Sequence, residues 1–120
     1  MLKFVQCIKG QPDIELYEFR QYWSDYCTRL SGFLKSHGIT RIDFSTTLAV
    51  EDTLKIMVER GTRQAYDGMV EVYFENAGVL RRLLDIPGFQ DDLSQIQALQ
   101  EEFVDLGHST FFFAMDDEGP

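Results

Sequence analysis

The chain has 120 residues, 44% of them hydrophobic, which suits one domain around one core and is too apolar for a disordered chain. Its 20 acidic and 11 basic residues leave a formal charge of -9, so nucleic acid and anionic membrane surfaces are excluded as expected partners. No run approaches the about 20 apolar residues that span a bilayer, and Cys7 and Cys27, with no apolar signal segment ahead of them, read as free thiols of a cytoplasmic protein.

The first expected element is a strand over Leu2 to Lys9. Leu2, Phe4 and Ile8 share one face with Gln6, and Val5 and Cys7 take the other, flanked by Lys3 and Lys9. A Gly10-Gln11-Pro12-Asp13 loop leads into a long helix from Glu15 to Gly38. Its stripe is Leu16, Phe19, Trp23, Cys27, Leu30 and Leu34, in steps of three or four. Asp13 is the expected cap and Gly38 the left-handed exit. The cluster Tyr22, Trp23, Tyr26 and Cys27 is unusual, because a plain core helix more often carries Leu or Ile there.

Ile39 to Val50 alternates, with Ile42, Phe44, Thr46, Leu48 and Val50 on one face and polar residues on the other, which predicts a strand at an edge or beside a wet cavity. Residues 51–64 read either as a short helix capped by Asp52 and ended by Gly61, or as an irregular loop; either would act as a cover. Tyr66 to Glu75 predicts a third strand, with Val70, Val72 and Phe74 opposite Met69, Glu71 and Tyr73. Asn76 caps a helix through Leu84, which Pro87 and Gly88 interrupt. A second helical piece carries Phe89, Leu93, Ile96, Leu99 and Phe103 and is expected to end at Gly107. Ser109 to Met115 is a last strand, apolar on both faces, and residues 116–120 form an acidic tail after a single domain over 1–115.

The order strand, helix, strand, strand, helix, strand predicts an α+β fold, the ferredoxin-like βαββαβ arrangement, with a four-stranded antiparallel sheet and two helices on one face. The first and last strands are expected at the centre. Being apolar on both faces, they call for a cover on the second face, and a second copy packed sheet against sheet in a two-fold dimer supplies it.

Three stretches give the chain a family likeness. Glu18-Phe19-Arg20-Gln21-Tyr22-Trp23 resembles an E-F-x-x-Y-W helix. Tyr66-Asp67-Gly68 through Glu71, Tyr73 and Phe74 resembles a Y-D-G-x-x-E strand. Phe103-Val104-Asp105-Leu106 resembles an F-I-D-L segment. In this order and spacing they resemble the EthD-like family of the dimeric α/β-barrel superfamily. The resemblance implies a homodimer and a pocket between helices and sheet for small aromatic or polyketide-like molecules. Members include cofactor-independent decarboxylases and accessory proteins, and more distant relatives include monooxygenases and haem-binding enzymes. Many members carry a His four residues after the helix Trp; here that residue is Cys27. A thiol with a pKa near ~8.5 carries protons at neutral pH less well than an imidazole.

The candidate catalytic residues are Glu71 and Cys27. Glu71 becomes an acid/base group if buried without a partner, and otherwise belongs to a salt bridge with an Arg. Cys27 is a reagent or a pocket wall. The candidate ligand-binding residues are Tyr22, Trp23, Tyr26, Tyr66, Asp67, Phe103 and His108, several of which also read as core, turn or surface residues. His37 sits at a helix end, where a cation suits the dipole. No HxH, HxxxH or CxxC spacing builds a metal site, and no P-loop or GxSxG elbow is present, so no metal or cofactor is expected. The leading expectation is a cofactor-independent decarboxylation or cyclisation of an aromatic or polyketide-like compound. A non-catalytic binding or accessory protein is the second, and a haem- or oxygen-handling enzyme the third.

Overall fold

A computed structural model of the chain describes residues 1–48 and 50–116, and the end of the acidic tail lies outside the described residues. Its strands are β1 (Leu2–Ile8), β2 (Ile42–Thr46), β3 (Gly68–Phe74) and β4 (Thr110–Met115). Its helices are α1 (Leu16–Ser36), α2 (Glu51–Arg60), α3 (Ala77–Leu84) and α4 (Pro87–Phe103), with a 3-10 turn at Leu106–His108. The strands form one antiparallel sheet in the order β2-β3-β1-β4. Among the described residues this ferredoxin-like fold has four α-helices: α1, the two pieces on either side of Ile86, and the helix at 51–60 that the sequence left open between helix and loop. Among the described residues no helix is long and apolar enough to cross a membrane.

The register assigns the faces. Phe4 pairs with Val72 and Gln6 with Val70, so these four stand side by side beneath the helices. On the opposite face Val5 pairs with Glu71 and Cys7 with Met69. In β4, Phe111 and Phe113 fall opposite Gln6 and Phe4 on the helix side, while Phe112 falls opposite Val5 on the outer side. β4 is therefore an edge strand, and the expected central position belongs to β3 beside β1. Buried Val70, Val72 and Phe74 give β3 its covered face. The two-sided apolarity of β4 has another origin: one face lines a cavity, and the other lies on an open sheet face where Phe112 keeps 46% of its surface exposed.

Several local expectations change. Helix α1 starts from Glu15 with no side-chain cap, and Asp13 lies in the preceding turn. Strand β2 stops at Thr46, leaving Leu48 and Val50 exposed, and Ile39 is buried outside the strand. Residues 51–60 are helical, but the cap position is Val50 and Asp52 lies within the first turn. This helix buries no residue. Helix α4 ends at Phe103, four residues before Gly107, because Val104 leaves the helix to bridge Gly10. Gly38 (φ 82°) and Gly61 (φ 64°) end α1 and α2 in the left-handed region, as glycine allows. Asn76 caps α3, its Oδ1 accepting from the Val79 amide at 3.1 Å.

The three stretches of family likeness meet at one end of the sheet. Phe19 packs on Gly10, where a Cβ would sit 2.8 Å from the ring. Trp23 packs on Gly68, where a Cβ would sit 2.6 Å from the indole. The Asp67 carboxylate accepts from the Gly10 amide at 2.7 Å. The third stretch closes the junction: the Gln11 amide donates to the Phe103 carbonyl at 2.9 Å, and the Asp105 amide to the Lys9 carbonyl at 2.8 Å. Phe103, 1% exposed, fills the space among Phe19, Tyr22 and Tyr26. Helix α1 thus sits on the sheet by two aromatic rings over two glycines.

This packing predicts opposite signs for two glycine substitutions. Gly68→Ala drives a methyl into the indole and is expected to cost ~1–3 kcal/mol. Gly32→Ala, on a part of α1 with open space around it, is expected to stabilise by ~0.5–1 kcal/mol through helix propensity. Thermal melts of the two variants check this; equal midpoints would contradict the ring-over-glycine contact.

Candidate functional site

Two concavities flank the α1 junction. The first lies between the sheet and helices α1, α3 and α4, has a volume of about 380 Å³, and falls within the usual range for small-molecule sites. Strands supply Phe4, Gln6, Val72, Phe74, Phe111 and Phe113. Helix α1 supplies Leu30, Phe33 and Leu34, α3 supplies Leu80 and Leu84, and α4 supplies Phe89, Leu93, Ile96, Gln97 and Gln100. It opens along β4, where Phe111 and Phe113 are 37% and 54% exposed. Among the described residues no wall residue carries a charge; the polar ones are the three glutamines.

Two of those glutamines are tied to Tyr26. Its hydroxyl donates to Gln6 Oε1 at 2.6 Å and accepts from Gln100 Nε2 at 2.8 Å. Tyr26 is 1% exposed, and burial pushes its phenol up to about 12, so it stays neutral. Gln6 stands among apolar residues on the helix face of β1, where the sequence already placed it. Gln97 and Gln100 sit beside the apolar stripe of α4, and in the sequence they resemble ordinary surface glutamines.

The second concavity, about 850 Å³ and wide open, lies at the end of the sheet near the glycine junction. It brings together three of the sequence-predicted ligand residues, Tyr66, Asp67 and His108. Asp67 is committed to the Gly10 amide and faces Lys9 Nζ at 3.6 Å. His108 is exposed and its Nδ1 lies 2.8 Å from Asp105 Oδ2. The Tyr66 hydroxyl accepts from Thr110 at 3.4 Å.

The other predicted residues lie elsewhere. Trp23 and Phe103 are buried in the aromatic cluster, and neither lines either concavity. Tyr22 is 38% exposed and stacks on Phe103 at 5.6 Å with a 2° interplanar angle. Glu71 is on the outer sheet face, away from the helix-side cavity. It accepts from Tyr73 Oη at 2.8 Å and from Lys3 Nζ at 3.2 Å. The Tyr73 bond, with Lys3, holds its carboxyl below the ordinary carboxylate range. The expected alternative of an ion pair is thus realised with Lys3 in place of an Arg. Arg41 instead stacks on the Tyr73 ring at 4.0 Å. Cys27 is half-buried against the core and is not a wall of the 380 Å³ cavity. Burial pushes its thiol up to about 12, the opposite of an activated nucleophile. Among the described residues no group of three or more His, Cys, Asp or Glu is placed to hold a metal ion.

Residues 11–107 match the family described as EthD domain. The chain belongs to this EthD family. Among solved structures it is similar to an EthD family protein of Bacillus halodurans, with TM-score 0.63 and 11% identity over 98% of this chain and 99% of that one. It is also similar to a dimeric ferredoxin-like protein of unknown function from Bacteroides fragilis, with TM-score 0.66 and 9% identity over 96% and 95%. A third likeness is to SnoaB, a cofactor-independent oxygenase from Streptomyces nogalater, with TM-score 0.51 and 14% identity over 98% and 94%. At such identities the likenesses show the fold. No curated protein matches the chain. In this EthD domain Phe19, Trp23, Asp67, Gly68 and Phe103 of the family-like stretches build the α1 junction, and of those stretches' named residues Phe74 lines the helix-side cavity.

Cys27 and Tyr26, the two acids raised chiefly by burial, carry a pH prediction. Folded Cys27 and Tyr26 hold protons that the unfolded chain releases as pH rises through 9.0 and 10.0. Their stabilisation is whole below about pH 9 and is lost progressively toward pH 12. Urea midpoints are expected to fall between pH 9 and 11, less steeply in Cys27→Ser. Iodoacetamide is expected to label Cys27 far more slowly in the folded protein than in urea; equal rates would contradict the burial.

Proposed function

We propose that this EthD domain binds a flat, apolar, aromatic or polyketide-like molecule in the helix-side cavity and supports its cofactor-independent conversion, such as cyclisation. The observation that carries the reading is a 380 Å³ cavity whose walls are aliphatic and aromatic except for three glutamines. Uncharged walls favour an uncharged ligand, since a buried ion there has no partner. Side-chain amides can meet an oxygen on which charge develops, which is how Asn and Gln serve in oxyanion sites. The ligand then supplies the acidic group, and the protein supplies position, exclusion of water and amide dipoles.

A second reading, a binding or accessory protein without catalysis, is favoured by one observation. The cavity walls hold no side chain that titrates near neutrality, and Cys27 in the family His position has its thiol pushed up to about 12.

We further propose a homodimer packed sheet to sheet, giving a dimeric α/β barrel. The outer face offers Val5, Cys7, Met69, Phe112 and Ala114, and similar structures are described as dimeric. The register supports Phe112, not Phe113, as the apolar residue facing the second copy.

Native mass spectrometry of freshly purified protein is expected to find a small aromatic ligand, and Leu93→Trp, which fills the cavity, is expected to lose it while keeping the thermal midpoint. Turnover of that ligand by the wild type separates conversion from binding. A Leu93→Trp protein that retains the ligand would overturn the cavity assignment. Phe112→Asp is expected to halve the mass seen by light scattering, and a wild type that is monomeric at micromolar concentration would overturn the dimer.

A further inference from the structure

The Gln100–Tyr26–Gln6 chain has a direction, and the direction states what the cavity recognises. The 2.6 Å separation between Tyr26 Oη and Gln6 Oε1 suits O–H···O and is shorter than the ~2.7 Å lower limit usual for N–H···O. The 2.8 Å separation to Gln100 suits N–H···O. The hydroxyl proton therefore points to Gln6, and the amide proton of Gln100 points to the hydroxyl. A neutral Tyr26 has one proton to give, so the carbonyl half of the Gln6 amide is committed.

The donor half of Gln6 is left over. Among the described residues no fully buried side-chain nitrogen or oxygen lacks a partner. Among the described residues Gln6 Nε2 has no hydrogen-bond partner although Gln6 is only 4% exposed, and the cavity that the residue lines is its open side. The strand ladder fixes the Gln6 backbone between Val70 and Phe111. The chain to Tyr26 fixes the amide plane, so the donor is held before any ligand arrives.

Resting on the cavity reading above, we infer that Gln6 Nε2 is a preset hydrogen-bond donor for an uncharged acceptor oxygen on the ligand, a ketone or quinone carbonyl, and that Tyr26 is its positioning residue. A carboxylate is a poor fit, because the walls offer it no cation. A flat hydrocarbon is also a poor fit, because it would seat against an amide with an unmet donor.

The test uses two probes of one shape, 2-acetylnaphthalene and 2-isopropenylnaphthalene, which differ by oxygen against methylene, with 2-naphthoate as the charged control. Binding is read by titration calorimetry on the full chain. The wild type is expected to favour the ketone over the alkene about tenfold and to bind naphthoate least. Gln6→Leu is expected to erase that preference while still binding the alkene; Gln6→Met takes its place if Gln6→Leu does not fold. Tyr26→Phe is expected to narrow the ketone preference and leave alkene affinity unchanged, which a purely structural role for the hydroxyl would not do. Equal wild-type affinities for ketone and alkene, or a preference that survives loss of Gln6, would overturn the donor assignment and leave the cavity reading standing. No binding of any probe to the wild type would overturn the cavity reading and this inference with it.

Discussion

Two aromatic rings of α1 rest on two glycines at the end of the sheet's central strands, and the rest of the molecule is placed by that contact. Phe19 over Gly10 and Trp23 over Gly68 bring the helix closer than any side chain at those glycines would allow. Asp67 ties the same two strand ends together through the Gly10 amide. With α1 seated there, α4 packs beside it and Phe103 enters the gap, ending α4 where Val104 turns out to bridge Gly10. Four short segments, far apart in the chain, are thereby held in one junction by dispersion and a few backbone bonds.

The cavity follows from what this seating leaves uncovered. The helices that close over β1 and β3 do not reach across β4, so the helix-side rings of Phe111 and Phe113 remain partly open. A close-packed interior would fill the space with larger side chains. Here the space is kept, and its single buried polar residue, Gln6, is held by a bond to a buried tyrosine. The same edge position exposes Phe112 on the other side of β4. One strand thus contributes to the ligand cavity and to the face offered to a second copy.

The ionisable groups are arranged so that the cavity stays neutral. The Glu71 carboxylate is on the opposite face, held ionised by Tyr73 and Lys3. Tyr26 and Cys27 are kept protonated by burial. The ionisable side chains at the open cleft near the glycine junction include Asp67, Lys9, Arg63, Asp105 and His108; Asp67 meets Lys9 and the Gly10 amide, and Asp105 meets His108. This separation suits a site that binds by shape and by amide dipoles.

Outside residues 51–64, where the tertiary structure decided the helix at Glu51–Arg60, the sequence by itself determined the element types, since periods of two and of three to four are set by backbone geometry alone. It also determined the ferredoxin-like order and the family, through short motifs whose spacing is retained. It placed Gln6 as a polar residue on an apolar face, which is the trace of the cavity that a chain can carry. The tertiary structure decided the rest. β4 could not be assigned to an edge from its apolarity, because burial in a core and exposure to a cavity select the same residues. Asp13 and Asp52 could not be ruled out as caps, because a cap depends on where the first helical amide falls relative to a neighbouring strand. Trp23 and Asp67 carry the chemistry of ligand residues, and only the positions of Gly68 and Gly10 beside them turn that chemistry into packing; Phe103 is drawn into the core by Phe19, Tyr22 and Tyr26. Gln100 lies 74 residues from its tyrosine partner, so the bond that orients the site exists only once the helices have closed on the sheet.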